Sequence, residues 1–206
     1  EPPRVSPERS RGASPERSRR VDARITFLGT GTSSGVPSIG CTCAVCRSTD
    51  SHDKRLRPSI HVDVPEHASI LVDTSPDLRQ QALTYGLTRL DAILFTHSHA
   101  DHILGLDEIR RFNFMQRSAI PCYATADVWT NIRQTFHYIF DGVPRLGGGI
   151  PLIEAHEIHG AFEVGGVRVL PVPLLHGNMP ILGFRFGSLA YLTDCSAIPD
   201  ESWPLV

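Results

Sequence analysis

Short apolar runs alternate with longer amphipathic segments along the first two thirds of the chain. Apolar, β-branched "ITFL" before Gly29 predicts a buried strand, and "SILVDTSP" (69–76) predicts a second. The stretch "DLRQQALTYG" has a helical pattern that starts near Pro76 and stops at Gly86. The same pattern then recurs as the strand "AILFTH", the helix "DHILGLDEIRRFNFMQ", the short strand "PCYAT" and the helix "ADVWTNIRQTFHYIF".

The last third of the chain has a different pattern. Residues 141–160 are rich in Gly and Pro and predict a loop. "FEVGGVRVLPVPLLH" predicts a hairpin that turns at Gly165–Gly166, and "GFRFGSLAYLTDC" predicts another near Gly187–Ser188. Early strands alternate with helices and late strands pair as hairpins, so the sequence predicts a mixed, layered α/β domain over residues 21–206. No linker divides that range.

Residues 1–20 carry no comparable pattern. "SPERSR" occurs twice, at 6–11 and 14–19, and such Pro-, Ser- and Arg-rich sequence cannot bury enough apolar surface to order itself. We expect a disordered extension here. An Arg-rich RNA-binding or targeting arm is the alternative.

Composition narrows the class of protein. The chain is 41% hydrophobic and 20% charged, with a formal net charge of -2, as expected for a soluble globular protein. Residues 1–20 hold six Arg against three Glu, so the remainder is mildly acidic, which argues against a broad nucleic-acid-binding face. No stretch suggests a membrane span or a secretory signal. Three of the five Cys lie within six residues, which favours a reducing cytoplasm over a disulfide framework.

The side chains best suited to bind metal ions concentrate in the segment "FTHSHADHILGLDEI" at 95–109. Residues i and i+2 of an extended chain face the same side, so His97 and His99 can reach one point, while Asp101 and His102 face a neighbouring point. Desolvating four such groups would cost several kcal/mol unless something paired them. The spacing predicts two adjacent metal sites, and imidazole with carboxylate suits Zn, Mn or Fe.

Further ligands should come from other strand ends. His176 ends "VLPVPLLH" and Asp194 ends "LAYLTD", and a carboxylate such as Asp194 is suited to bridge two ions. Asp73 ends "ILVD" and could instead accept the outer N–H of a ligand histidine. Ordinary core or surface roles are expected for the remaining histidines, namely His52, His61, His67, His137, His156 and His159.

At these motifs the sequence resembles a known family. "THSHADH", "LLH" and "YLTD", in this order, resemble the metallo-β-lactamase superfamily, and "FLGTGTSSGVPSIGCTCAVCRS" resembles its PhnP branch of cyclic-phosphate phosphodiesterases, akin to tRNA 3′-processing ribonucleases. The resemblance implies a four-layer αβ/βα sandwich. It implies one metal held by His97, His99 and His176, and a second held by Asp101, His102 and a further histidine, with Asp194 bridging.

The chain ends twelve residues after Asp194. Members of this branch carry more strands and helices there, with the last ligand histidine and a catalytic histidine. The resemblance therefore leads us to expect a C-terminally truncated piece of a longer protein, which could be inactive by itself.

The five cysteines and the Gly-rich opening turn have their own interpretations. Cys41, Cys43 and Cys46 form C-x-C-x2-C, which suits a structural zinc ion, with redox cysteines as the alternative. The resemblance adds a fourth ligand, a histidine beyond residue 206. Cys122 and Cys195 are expected to be buried small hydrophobes. The turn "GTGTSSG" is either a tight structural turn or a phosphate contact.

The predicted function is that of a metal-dependent phosphodiesterase acting on a small, cyclic or linear diester. A hydroxide between two Zn²⁺ or Mn²⁺ ions would attack phosphorus, with Asp101 and Asp194 in catalytic roles. The alternatives are an RNA 3′-end-processing nuclease, a thioester or β-lactam hydrolase, and a non-catalytic interaction module. The expected partner is the small substrate. No membrane partner is expected, and nucleic acid is the less favoured alternative. A homodimer is one of the oligomeric states that the sequence allows.

Overall fold

The computed structural model describes residues 23–143 and 149–206. The predicted extension over 1–20 lies outside the described residues. One sheet contains six strands: β1 (Arg24–Gly29), β2 (Ser59–Val64), β3 (Ala68–Val72), β4 (Ala92–Leu94), β5 (Ile120–Ala124) and β6 (Ile153–Glu157). They lie in sequential order. β1, β2 and β3 pair antiparallel, whereas β3, β4, β5 and β6 pair parallel.

The late strands form a second, antiparallel sheet in the order β10-β9-β8-β7. Its members are β7 (Phe162–Val164), β8 (Val167–His176), β9 (Met179–Phe186) and β10 (Leu189–Tyr191). The two predicted hairpins are confirmed. Gly165 and Gly166 have φ of 53° and 78°, the left-handed conformation that a two-residue hairpin turn requires. A third hairpin, β8 to β9, turns between His176 and Met179.

Six α-helices are present in the described ranges. They are α1 (Ala44–Arg47), α2 (Leu78–Tyr85), α3 (Ala100–Ile103), α4 (Arg110–Gln116), α5 (Ala126–Thr135) and α6 (His137–Phe140). All except α1, which buries no residue, pack on one face of the first sheet. Successive side chains of a strand point to opposite faces. Leu71 of β3 therefore packs under the helices with Leu78 and Phe112, while its neighbours Ile70 and Val72 pack against Phe184 of the second sheet.

The resulting order of layers is helices, sheet, sheet, which confirms the α/β sandwich. On the outer side of the second sheet, Val172, Leu174 and Ile181 are covered by Ile198 and Leu205 of the segment that ends in the 3-10 helix Asp200–Leu205. No helix in the described ranges is long and apolar enough to cross a membrane.

Several local predictions were wrong. "ITFL" is a strand but not a buried one, because β1 lies at the sheet edge and Phe27 is 55% exposed. The segment 141–160 is not all loop, since it contains β6, an edge strand whose sequence "IEAHE" has no apolar alternation. β2 was not predicted.

Two predicted helices are broken. "DHILGLDEIRRFNFMQ" forms α3, a 3-10 helix over Leu106–Ile109, and α4. The interruption lies at Gly105, where a Cβ atom would lie 1.9 Å from the carbonyl oxygen of Ser75. "ADVWTNIRQTFHYIF" is divided at Phe136, whose φ of -113° and ψ of 41° separate α5 from α6.

Candidate metal centre

The predicted ligands lie where strands end. Asp73 directly follows β3 and His97 lies three residues after β4. Because these two strands are parallel, they end at the same edge of the sheet. His176 is the last residue of β8, and Asp194 lies three residues after β10. Thr96 connects the two sheets at this edge, since its carbonyl oxygen accepts a hydrogen bond from the Leu182 amide of β9 at 3.0 Å.

The predicted convergence is observed. One side-chain nitrogen or oxygen from each of His97, His99, His176 and Asp194 lies within 4.8 Å of all the others. The imidazole ring of His97 is 4.7 Å from that of His99 and 5.7 Å from that of His176, between centroids. Three imidazoles from two sheets therefore face one carboxylate across a gap of the size that one metal ion fills.

A second group adjoins the first. Ligand atoms of Asp101, His102 and Asp194 also lie within 4.8 Å of one another. Nε2 of His102 is 3.1 Å from Oδ2 of Asp194 and 3.3 Å from Oδ2 of Asp101. The same Asp194 oxygen lies 3.7 Å from Nε2 of His97. Asp194 belongs to both groups, as a bridging carboxylate would.

The centre has a buried floor and an open rim. His97 and His102 are 1% and 0% exposed, and Asp101 is also buried. His99 is exposed, whereas His176 and Asp194 are half-buried. A small molecule can therefore approach from the side of His99 and His176 while the deeper ligand atoms stay shielded from bulk water.

One buried nitrogen at the centre lacks a hydrogen-bond partner. Nε2 of His97 is one of two such buried side-chain atoms among the residues that the structure describes, the other being Oγ of Ser202. An unsatisfied buried polar atom costs about 1–3 kcal/mol. Because this nitrogen points toward the carboxylate of Asp194 among three other candidate ligands, the donor set fits a divalent metal ion such as Zn²⁺ or Mn²⁺.

Asp73 is buried beneath both groups. Its Oδ1 accepts from the Thr96 amide at 2.8 Å, and its Oδ2 lies 2.8 Å from Thr96 Oγ1 and 2.7 Å from Nδ1 of His102. Thr96 Oγ1 lies in turn 2.9 Å from Nδ1 of His97. Asp73 has a φ of 63° and Asp194 of 52°, unusual values for residues other than glycine. The contact of Asp73 with His102 is that predicted for it, whereas Thr96 was missed.

The ionisable side chains of the centre shift one another's pKa values. Burial, with the nearby His102, lowers the pKa of His97 to about 4. Burial would also lower the pKa of His102, but the carboxylates of Asp73, Asp194 and Asp101 raise it to about 10. The hydrogen bond with His102 in turn lowers the pKa of Asp194 to about 2. A cluster of ionised carboxylates that holds a proton this firmly also attracts a divalent cation.

The three opening cysteines gather elsewhere. The sulfur atoms of Cys41, Cys43 and Cys46 lie within 4.8 Å of one another, and none is in a disulfide. The Ser38 amide donates to Sγ of Cys46 at 3.4 Å, and the Cys46 amide donates to Sγ of Cys43 at 3.5 Å. The latter bond is the main cause that lowers the pKa of Cys43. The arrangement fits three thiolate ligands of one ion.

The other two cysteines differ. Cys122 is fully buried in the core, and burial raises the pKa of its thiol, as expected for a small hydrophobe. The same expectation is wrong for Cys195, which is only half-buried and donates to the carbonyl of Ala197 at 3.4 Å. It follows Asp194 in the chain and packs at the margin of the apolar cluster formed by Val172, Leu174 and Ile181.

The Gly-rich turn packs closely on residues 55–57. A Cβ atom on Gly29 would lie 2.0 Å from the Arg57 carbonyl oxygen, and one on Gly31 would lie 2.6 Å from that of Arg55. The Gly31 amide donates to the Leu56 carbonyl at 2.7 Å. Close backbone contact therefore accounts for these glycines. The phosphate-contact interpretation stays a prediction.

The histidines expected to have ordinary roles lie outside both groups. His61 contacts Ser69 Oγ at 2.7 Å within the first sheet, and the ring of His156 stacks on Tyr123. His52 and His159 lie beside surface carboxylates. None of the six belongs to a group of candidate ligands among the described residues.

Comparisons with known proteins identify the family and agree with the fold. A model of the beta-lactamase superfamily domain matches residues 68–206. A crystal structure described as a new diphosphatase from the PhnP family is 46% identical, with a TM-score of 0.80 over 89% of this chain and 70% of that one. Zn(2+)-bound PqqB from Methylobacterium extorquens (23% identical, TM-score 0.63) and human tRNase Z, short form (20%, 0.58), share the fold.

The chain therefore belongs to the beta-lactamase superfamily and, within it, to the PhnP family. Among curated proteins, an octanoyltransferase of Porphyromonas gingivalis is 44% identical over 86% of this chain and 36% of its own length. A coenzyme PQQ synthesis protein B of Methylobacterium nodulans is 34% identical over 41% of this chain and 32% of its own. The aligned part is about a third of either relative.

Proposed function

We propose that the protein is a metal-dependent phosphodiesterase for a small substrate, and that its centre holds two divalent ions. The observation that carries the proposal is the shared carboxylate of Asp194, which lies between the histidine group and the Asp101–His102 group. His97, His99 and His176 would hold one ion, Asp101 and His102 would hold the other, and Asp194 would contact both. The donor set suits Zn²⁺ or Mn²⁺.

Divalent ions held in this way lower the pKa of water and offset negative charge on the phosphoryl oxygens. The protein's own groups supply orientation. The carboxylate of Asp101 is buried beside His102 and can accept a hydrogen bond from an attacking water molecule. Asp73 holds the His102 ring from below, so the ring cannot turn away from the centre. The exposed rim at His99 leaves room for a phosphate group to enter.

The substrate class rests on family membership and on charge. The phosphate group of a diester carries one negative charge and has two substituents. Each phosphate group of a diphosphate that is substituted at both ends has the same charge and the same number of substituents. The 46% identical PhnP-family protein is described as a diphosphatase, which makes a diphosphate the second candidate substrate. Outside residues 1–20 the chain is mildly acidic, which disfavours a long polyanion such as a tRNA precursor.

Octanoyl transfer is not carried over from the Porphyromonas relative, because the match spans 36% of that protein. For the cysteine cluster we propose a structural zinc ion held by Cys41, Cys43 and Cys46. A reducing cytoplasm is the environment in which these free thiols would persist.

The decisive experiment is a substrate comparison with full-length protein loaded with Mn²⁺ or Zn²⁺. We expect hydrolysis of bis(p-nitrophenyl) phosphate and of a 2′,3′-cyclic or ribose 1,2-cyclic phosphate. A substituted diphosphate, a thioester and a tRNA precursor are assayed in parallel. Cleavage of the diphosphate alone would transfer the assignment to the second candidate. Turnover of the thioester or the tRNA precursor, with none of either phosphate compound, would refute the proposal.

A further inference from the structure

We propose that Thr96 is a positioning residue that fixes the tautomer of the His97 ring, through a hydrogen-bonded relay from Asp73 through Thr96 to His97. The relay would point the unprotonated Nε2 of His97 into the centre. The inference rests on the proposed metal site, but the hydrogen-bond pattern that carries it is independent of any ion. Thr96 is 1% exposed, and its hydroxyl contacts Asp73 at 2.8 Å and His97 at 2.9 Å.

The direction of each hydrogen bond follows from counting hydrogens. A carboxylate only accepts, and a hydroxyl has one hydrogen to donate. The Thr96 hydroxyl therefore donates to Oδ2 of Asp73, and its oxygen is left to accept from Nδ1 of His97, which must carry a hydrogen. The reverse direction would leave two oxygens facing each other at 2.8 Å with no hydrogen between them.

The same carboxylate orients the other buried imidazole directly. Oδ2 of Asp73 lies 2.7 Å from Nδ1 of His102, so that nitrogen donates as well. Both buried rings thereby carry a hydrogen on Nδ1 and direct Nε2 at Asp194, at 3.1 Å from His102 and 3.7 Å from His97. The buried carboxylate of Asp73 would thus orient two candidate ligands, His102 directly and His97 through Thr96.

Loss of the hydroxyl should reverse the preference of His97. Without Thr96 Oγ1, Nδ1 of His97 has no partner, while Nε2 still faces the Asp194 carboxylate. A hydrogen on Nε2 is then attracted by the Asp194 carboxylate. A metal ion cannot bind to Nε2 while that nitrogen carries a hydrogen. The backbone of Thr96 stays anchored in either case, because its amide donates to Asp73 and its carbonyl accepts from Leu182.

The test compares Thr96→Val, which keeps the shape and removes the hydroxyl, with Thr96→Ser, which keeps the hydroxyl. Thr74→Val is the matched control, since Thr74 is also buried but its hydroxyl donates to the Ile103 carbonyl at 3.1 Å. Long-range ¹H–¹⁵N spectra of the chelator-treated chain report the protonated ring nitrogen of His97. Mn²⁺ affinity is measured by electron paramagnetic resonance, because Mn²⁺ binds poorly to the cysteine cluster.

We expect Nδ1–H in the wild type, in Thr96→Ser and in Thr74→Val. In Thr96→Val we expect Nε2–H and an affinity for Mn²⁺ lower by about 10- to 100-fold, the usual effect of losing an outer-shell partner. The proposal is overturned by Nε2–H in the wild type, by a Thr96→Val protein that keeps either the wild-type tautomer or the wild-type affinity, or by a Thr96→Ser protein that behaves like Thr96→Val. A wild type with the expected tautomer but no Mn²⁺ binding would instead refute the metal site.

Discussion

Oδ2 of Asp194 lies 3.1 Å from Nε2 of His102, although the two residues are 92 positions apart and belong to segments on different sheets. The contact joins the Asp101–His102 turn to the end of the second sheet. Packing of the two sheets therefore brings candidate ligands from both of them together. Because the site is assembled across the sandwich, its geometry depends on how the two sheets pack.

Asp194 should therefore be the most sensitive position for chemistry. Asp194→Asn keeps the shape but removes the charge that both ligand groups share, and we expect turnover of the phosphodiester substrate to fall by about 1,000-fold in full-length protein, equivalent to several kcal/mol of lost charge stabilisation. Asp200→Asn, an exposed position in the following 3-10 helix, is the control and should stay within about twofold. Full activity of Asp194→Asn would contradict the shared-ligand assignment.

The metal-free chain should be most stable near pH 6.5. The folded pKa of His97 is about 4, below its usual 6.5, so the unfolded state binds this proton first and stability falls as the pH drops from 6.5 toward 4. The folded pKa of His102 is about 10, so its stabilising contribution is complete below pH 6.5 and is lost as the pH rises through 10.

Urea denaturation in the presence of a chelator at pH 5, 6.5 and 9 measures this dependence. His97→Gln should flatten the acid limb and leave the alkaline limb in place, because only the His97 proton is removed. An acid limb of the same slope in His97→Gln would show that other groups cause it.

Gly105 should be essential for the loop that carries Asp73. A Cβ atom there would lie 1.9 Å from the Ser75 carbonyl oxygen, and the Gly105 amide donates to the Thr74 carbonyl at 2.9 Å. Gly105→Ala must push this loop away, and we expect it to lower the free energy of unfolding by about 1–3 kcal/mol. Gly160→Ala is the control, because nothing lies within 4 Å of its added Cβ, and it should change stability by less than about 0.5 kcal/mol. Equal stability of the two variants in urea denaturation would contradict this prediction.

Much of the centre could be predicted from the sequence, because its ligands follow strand ends. Apolar runs that finish in a histidine or an aspartate place those side chains at a sheet edge, and His97, His176 and Asp194 all obey this rule. Thr96 could not be identified in this way. A single threonine before His97 has no pattern of its own, and its role depends on the Asp73 carboxylate, 23 positions away.

The wrong predictions for β1 and β6 have a common physical cause. β1 and β6 are the two edge strands of the first sheet, so one side of each lacks a neighbouring strand. "ITFL" is apolar but stays partly exposed, whereas "IEAHE" is polar yet pairs with β5 through its backbone. Periodicity reports burial of side chains, and edge strands are held mainly by backbone hydrogen bonds. The break at Gly105 was equally hidden, because it reflects a distant carbonyl oxygen.

The cysteine cluster should contribute to stability without contributing to chemistry. The sulfurs of Cys41, Cys43 and Cys46 lie within 4.8 Å of one another, and Cys41 is exposed, so Cys41→Ser removes a candidate ligand without opening a cavity in the core. We expect the zinc content of the folded protein to fall by about one ion per chain and its thermal midpoint to fall with it, because metal binding and folding are coupled. Turnover per folded molecule should remain close to that of the wild type.

Cys122→Ser is the control, since it disturbs a buried thiol in the core and should lower stability while leaving the zinc content unchanged. Zinc is counted by elemental analysis after gel filtration, and an unchanged zinc content in Cys41→Ser would exclude the cluster as a zinc site.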